Sequence, residues 1–363
     1  MLSGSFRLAD IICRLRTLLR QRQNVIASAG SETQHMQKAM QEMGVPLHVV
    51  VSDVTGETGL RIIDAILEGQ RDPKALVKLR DWRVRKSTVA EMEAALQGEW
   101  REELLFVLRQ SRQAYAFFQQ QIAALDEKIV ALLAEIPPAP IPPCADGVGA
   151  PGESKGVVAA GSEAPARADA AKAQTKGAKR TKRPSRAGNP FSQDIRPQLA
   201  QIFGIDLTCV PGLNLVSVLI ILSEIGPDLK KRWRDGDVFA AWLGLCPGSK
   251  ISGGKVLSSR TPHVANRVAV ILRLAALAIG RTDTCLGLFY RRIKARHGAP
   301  KAMTATARKL AVLLYHLLTT AQEYHEPDRK QYDDRLRKNI ILRLTRQAKE
   351  LGFNLVPLEK VAA

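Results

Sequence analysis

The sequence predicts a mainly α-helical protein: a long-helix hairpin or coiled-coil region, a disordered linker, then a helical domain containing a helix-hairpin-helix. Three observations carry this. Apolar residues recur at three-four spacing through residues 7–43 and 100–135, the mark of a helix with one buried face. Residues 136–190 lose that periodicity and turn to Pro, Gly, Ala and Ser. Beyond Asn189, apolar runs of helical length are cut by Pro and Gly, which end helices. The expected divisions are 1–135, 136–190, 191–326, and a charged C-terminal helix and tail at 327–363.

In the first long helix Leu8, Ile11, Leu15, Leu18 and Val25 form the seam, and Arg22 breaks it where Leu or Ile would continue. Gly44, Val45 and Pro46 end it. The run LHVVVSDV (47–54) reads as helix, with TGETG (55–59) turning into LRIIDAIL. Gly69 and Asp72-Pro73 close that helix, and Pro73 suits the first turn of the next. Asp53 and Glu57 read as turn and capping carboxylates, not catalytic ones. In the second long helix Ile122, Leu125, Ile129 and Leu132 take the seam, leaving Asp126, Glu127 and Lys128 outside. Two such helices pair with each other or with a second copy.

Residues 136–190 cannot bury enough apolar area to offset chain entropy, so a disordered linker is expected. Its second half carries seven basic residues between Lys172 and Arg186, a flexible tether for phosphates whose grip fades with salt. Over the whole chain 54 Lys and Arg stand against 35 Asp and Glu, a net +19. That excess is clustered, which points to a polyanion. Aromatic residues make up only 5%, too few for stacking to be the main binding mode. No run of about 18 uncharged apolar residues exists to cross a membrane, and arginines interrupt the place of a signal peptide's apolar core. Cys13, Cys144, Cys209, Cys246 and Cys285 form no CxxC pair, so buried or inert thiols in a reducing cytoplasm are expected.

The segment FGIDLTCVPGLNLVSVLIILSEIG has the form of a helix-hairpin-helix. One helix ends before Val210, residues 211–214 turn, and residues 215–225 form the second helix. Such a turn offers backbone N–H groups to a phosphate, which makes Gly212 and Asn214 candidate nucleic-acid contacts. Asn214 stands where glycine is usual and is expected in a left-handed conformation. FAAWLGL then reads as a buried helix, and CPGSKISGGK as a loop broken by Pro247, Gly248, Gly253 and Gly254. Ser252 lies on that loop before two residues without Cβ, which let a phosphate come close. Lys250, Lys255, Arg260, His263 and Arg267 are expected around it. From Lys250 to Lys309 thirteen Lys or Arg face one acid, Asp283. Two apolar helices follow, at 262–280 and 304–324, with the basic YRRIKARHGAP between them. His316 reads as a core histidine.

The anchors SGSFRLADIICRLRTLLRQR, SDVTGETGLRIIDAILEGQRDP, VPGLNLVSVLIILSEIG, FAAWLGLCPGSKISGGK and GAPKAMTATARKLAVLLYHLLT together resemble the insertion-sequence-110 transposases, with the 116 and 902 groups. The resemblance runs from about Gly4 to Tyr324. It implies DNA transposition and recombination by strand exchange, with Ser252 as nucleophile; the neighbour that is often a second Ser is here Ile251. It also implies DNA and a structured non-coding guide RNA as partners, a homo-oligomer, and a bacterial cytoplasmic, nucleoid-associated location. The family's Mg²⁺ sits on four acids of a RuvC-like domain that would precede Met1. The chain is therefore expected to be N-terminally truncated, to bind no metal alone, and to be catalytically incomplete. The alternative is a non-catalytic protein that holds nucleic acid with its helix-hairpin-helix and basic helices.

Overall fold

The computed structural model describes residues 8–82, 86–139, 189–191, 193–258, 260–262 and 264–354; the linker expectation, with its basic tether and Cys144, falls outside them. The two seamed helices are α1 (Asp10–Glu42) and α6 (Glu102–Glu135). At about 1.5 Å per residue each is roughly 50 Å long. They pack antiparallel against each other, more extensively than any other pair of elements. Arg14 meets Glu135 near one end and Arg22 meets Asp126 further along.

The buried seam of α1 is Ile12, Leu15, Leu19, Arg22, Val25 and Ala29. Ile11 and Leu18, expected in the seam, lie on its flank, and Leu8 precedes the helix; all three are half-buried. Arg22 does not break the seam but belongs to it, and Asp126, expected outside, is buried opposite it. Their side chains are 4% and 5% exposed. The guanidinium donates two hydrogen bonds to the Asp126 carboxylate and a third, of 2.9 Å, to the Asn189 carbonyl. Its flat face lies 4.1 Å from the centre of the Phe191 ring. One charge thus joins α1, α6 and the first described residues beyond 188.

Four short helices cap the far end of this hairpin: α2 (Leu47–Val50), α3 (Glu57–Leu67), α4 (Pro73–Lys78) and α5 (Val89–Ala95). Local chemistry sets their bounds. Asp72 accepts from Lys74 and Ala75 with Pro73 in the first turn of α4, as the dipeptide suggests. Thr88 and Glu91 form a capping box on α5. Asp53 holds the Thr55 amide and hydroxyl, and Glu57 pairs with Arg61, so both carboxylates serve local structure. Met36, Met40, Ile62, Ile66, Met92 and Leu108 are among the residues of this smaller core.

The near end of the hairpin enters a second core. There Ile12, Leu15, Ile129 and Leu132 pack with helices of the C-terminal half. Those helices are α7 (Arg196–Phe203), α8 (Leu215–Ile225), α9 (Gly236–Trp242), α10 (Arg267–Ile279), α11 (Cys285–His297) and α12 (Ala299–Thr320). The basic stretch YRRIKARH is thus the end of α11. A two-stranded sheet, β1 (Lys250–Ser252) and β2 (Lys255–Ser258), interrupts them. Helix α13 (Arg329–Glu350) follows with none of its described side chains buried, and Arg329 ties its start to Asp283. His316, expected in the core, is exposed on α12, and of the described cysteines only Cys285 is buried.

Removing one partner of a buried ion pair leaves an uncompensated charge, at a cost of about 3–5 kcal/mol. Asp126→Asn or Arg22→Met should therefore lower unfolding stability by that amount in chemical denaturation. The double replacement Arg22→Met with Asp126→Leu should recover most of the loss; additive losses would show that the pairing is not the cause.

Candidate nucleic-acid interface

The region around residues 206–309 is built outward from α8, whose residues Val218 to Ser223 are buried in succession. Its approach is fixed by Asp206, whose carboxylate accepts from the Thr208 amide and hydroxyl and opens a 3-10 turn at Leu207–Cys209. Burial alone would raise the pKa of Asp206. The Thr208 hydrogen bonds, the Cys209 thiol and the Arg196 charge outweigh it and hold the carboxyl below its ordinary value. Gly212 then takes the left-handed conformation at φ 82. A Cβ there would stand 2.7 Å from the Ala275 carbonyl oxygen of α10, so the turn leans on that helix. Asn214 is not left-handed as expected: at φ −112 it is the N-cap of α8, its side chain accepting from the Ser217 amide.

The CPGSKISGGK segment is also more ordered than a loop. Ser252 ends β1 and stands opposite Lys255 across an antiparallel pair. Gly253 and Gly254 make the two-residue connection at φ 54 and 73. Positive φ at both positions is what a type I′ hairpin turn demands. Nothing lies within 4 Å of a Cβ built on either glycine, so the tip is open. Ser252 and Lys255 are exposed, as are Ile251 (64%) and Leu257 (70%). The Gly248 amide donates to the Arg260 carbonyl at 3.1 Å and closes the hairpin's base.

The structure separates the cations expected around Ser252. Lys255 sits opposite it and Arg260 lies at the base of the hairpin. Arg267 starts α10 and donates to Gln23 of α1 at 2.7 Å. The Lys250 side chain and His263 lie outside what is described. Arg267 instead lines a cavity of about 570 Å³ with Arg16, Arg20, Arg232 and Glu224. Arg20 Nη2 donates to both oxygens of the Glu224 carboxylate, and Arg16 donates to the carbonyls of residues 223 and 224. Arg232 lies over Trp233 and Trp242; burial, then the Arg16 charge, pushes its pKa below the usual guanidinium range. The sequence gives no local sign of this arginine cluster, because its members come from α1, the α8–α9 region and α10.

Residues 206–291 match the family model for the Transposase IS116/IS110/IS902 family. This segment is a transposase domain of that family. The chain accordingly has a role in transposition or recombination, and DNA is the partner such a transposase implies. No curated protein matches the chain. The matched residues run from the Asp206 turn through the hairpin into α11, so the transposase domain includes Ser252, Lys255, Arg260 and Arg267. A divalent metal is consistent with the family. Among the described residues, however, no group of three or more His, Cys, Asp or Glu is arranged to hold one. None of the described helices is long and apolar enough to cross a membrane.

An L-residue in the left-handed region costs about 1–2 kcal/mol. Replacing both Gly253 and Gly254 by Ala should thus open the hairpin while the thermal midpoint of the whole chain stays unchanged, because the tip packs on nothing. Amide exchange at residues 251–257 checks this; retained protection there would contradict the assignment of the turn.

Proposed function

We propose that this chain is a DNA transposase or recombinase in which Ser252 attacks a phosphodiester. The observation that supports it is placement: an exposed hydroxyl at the end of a projecting strand, opposite Lys255, within the residues that match the transposase family. In the proposed step a bond forms between Ser252 Oγ and phosphorus, and the bond from phosphorus to the leaving sugar oxygen breaks. The serine proton ends on that oxygen. The phosphodiester's energy is kept in the phosphoserine link, so a second DNA hydroxyl can reverse the attack and complete strand exchange. A serine hydroxyl needs an acceptor for its proton to react at neutral pH. Lys255 supplies positive charge against the developing charge on the phosphoryl oxygens.

In this reading Gly253 and Gly254 let the DNA backbone approach without side-chain clash. The turn at Gly212 and Asn214, read as a helix-hairpin-helix, and the arginine cavity at Arg267 hold backbone phosphates away from the reacting one. The guide RNA, the second copy and the metal-ligating acids that the resemblance implies complete the assembly from outside these residues.

The test is a denaturing gel of the chain incubated with DNA, the element's guide RNA and a metal-ligating RuvC-like domain supplied in trans. A covalent protein–DNA adduct is expected, mapping to phosphoserine at 252 by mass spectrometry and absent in Ser252→Ala. Lys255→Met should slow its formation about a hundredfold, the scale of losing one charge-stabilising group, while DNA binding falls far less. DNA binding with no adduct would instead leave a non-catalytic nucleic-acid-binding protein as the function.

A further inference from the structure

A cavity of about 1130 Å³ opens beside the hairpin. Pro247 and Arg260, which flank the hairpin's two strands, stand on its rim, and Leu245 lines it from the end of α9. Leu286, Phe289 and Leu313 of α11 and α12 add to the apolar lining, and Tyr324 and Tyr332 border it near the start of α13. Three aromatic residues, Phe289, Tyr324 and Tyr332, thus face one space, with exposed His316 beside them.

Arg260, Lys301, Arg308 and Lys309 line the cavity, and the one lining carboxylate, Asp237, is bonded to Arg308 at 2.9 Å. Lys301 and Lys309 make no ion pair with a carboxylate among the described residues. Lys309 Nζ rests 4.1 Å from the centre of the Phe289 ring, and the Arg292 guanidinium lies 5.6 Å from the same point. Partial burial, then the Arg292 charge, pushes the Lys309 pKa below the usual lysine range. Cations brought together without counter-charge are stabilised by an anion, and the apolar wall asks for a flat, uncharged body attached to it.

We infer that this cavity receives an unstacked nucleotide of a single DNA strand, its base against Phe289 and the two tyrosines and its phosphate against Lys301, Lys309 and Arg260. A helix or loop of protein would match those cations only where it carried carboxylates, whereas any nucleotide brings its own phosphate with a flat base for the apolar wall. The volume slightly exceeds the range of small-molecule pockets, about 300–1,000 Å³, so a base with its sugar and phosphate fits. From Lys255, opposite Ser252, to Arg260 the chain spans roughly 17 Å at about 3.3 Å per residue. The captured nucleotide therefore lies within a few nucleotides of the tip, where strand exchange requires an opened duplex. The inference rests on DNA as the partner but not on Ser252 as the nucleophile.

The experiment is fluorescence anisotropy of the full chain, at fixed salt, with a labelled single-stranded deoxyoligonucleotide, its counterpart with one abasic position, its RNA counterpart and a blunt duplex. Base stacking on protein aromatics is sequence-tolerant and strong enough that one lost contact costs about tenfold or more in affinity. The abasic strand, Phe289→Ala and Lys309→Gln should each lose about that much, with duplex binding unchanged. Thr304→Trp, which fills the cavity from its lining without removing a buried side chain, should do the same and guards against a folding defect in Phe289→Ala. A 2-aminopurine in the strand should change its fluorescence on binding only where the cavity is intact. Equal affinity for the abasic strand, no effect of Thr304→Trp, tighter binding of the RNA, or a protein segment seated in the cavity would overturn the inference. Loss of the adduct at Ser252 with these affinities intact would sink the nucleophile and leave the cavity standing, which separates this test from the adduct assay.

Discussion

The pairing of Arg22 with Asp126 is the constraint on which the architecture depends. The two residues lie 104 positions apart, on helices whose apolar seams alone would tolerate sliding by a turn. A buried guanidinium satisfied by one carboxylate and by the Asn189 carbonyl fixes the register, because any slip leaves a charge unpaired. Asn189 adopts φ 55 to present that carbonyl, a conformation Asn accepts more readily than most residues. The same contact therefore sets where the C-terminal half begins to pack. The near ends of α1 and α6 then become part of the core beneath the transposase domain, so the arm and the domain share one interior.

That interior decides which features are legible in the chain. The long helices are legible because a three-four apolar pattern sustained over many turns fits a helix with one buried face and does not fit a strand. Their facing sides are less so: Ile11 and Ile12, or Leu18 and Leu19, are both apolar, and only the partner decides which is buried. Arg22 looks like a flaw because its partner is remote in sequence. Asp126 looks exterior because it sits in the run Asp126, Glu127, Lys128, and nothing local marks one of three charges as buried. Caps such as Asp72 before Pro73 are visible because their chemistry spans only a few residues.

The candidate site is legible in composition and partly hidden in geometry. Two adjacent glycines after Ser252 announce a break, but strands of three and four residues are too short to show alternation, so a hairpin reads as a loop. Asn214 occupies what looks like a glycine position. The left-handed residue is Gly212, two positions earlier, and Asn214 does what its short acceptor side chain does best, capping a helix. Arg260 and Arg267 are close in sequence yet face different cavities, because Asn266 starts α10 and turns the chain toward α1. His316 sits on an apolar helix, but on the face that bounds a cavity rather than on the face that packs in the core.

A hairpin of two short strands is marginal by itself in water, and this one exposes Ile251 and Leu257 without covering either. Its order is therefore coupled to whatever it meets. If Ser252 attacks phosphodiesters as proposed, that coupling has a consequence. An open hydroxyl facing bulk water has cations nearby but no fixed line of attack, so it is inert toward stray phosphates. Docking of a DNA backbone along the hairpin would bury the exposed side chains, hold Lys255 against the phosphate, and exclude water that weakens that charge. On that proposal, Ser252 would gain its reactivity only within the complex. Control of this kind comes from solvation and order rather than from a change in any covalent part of the site.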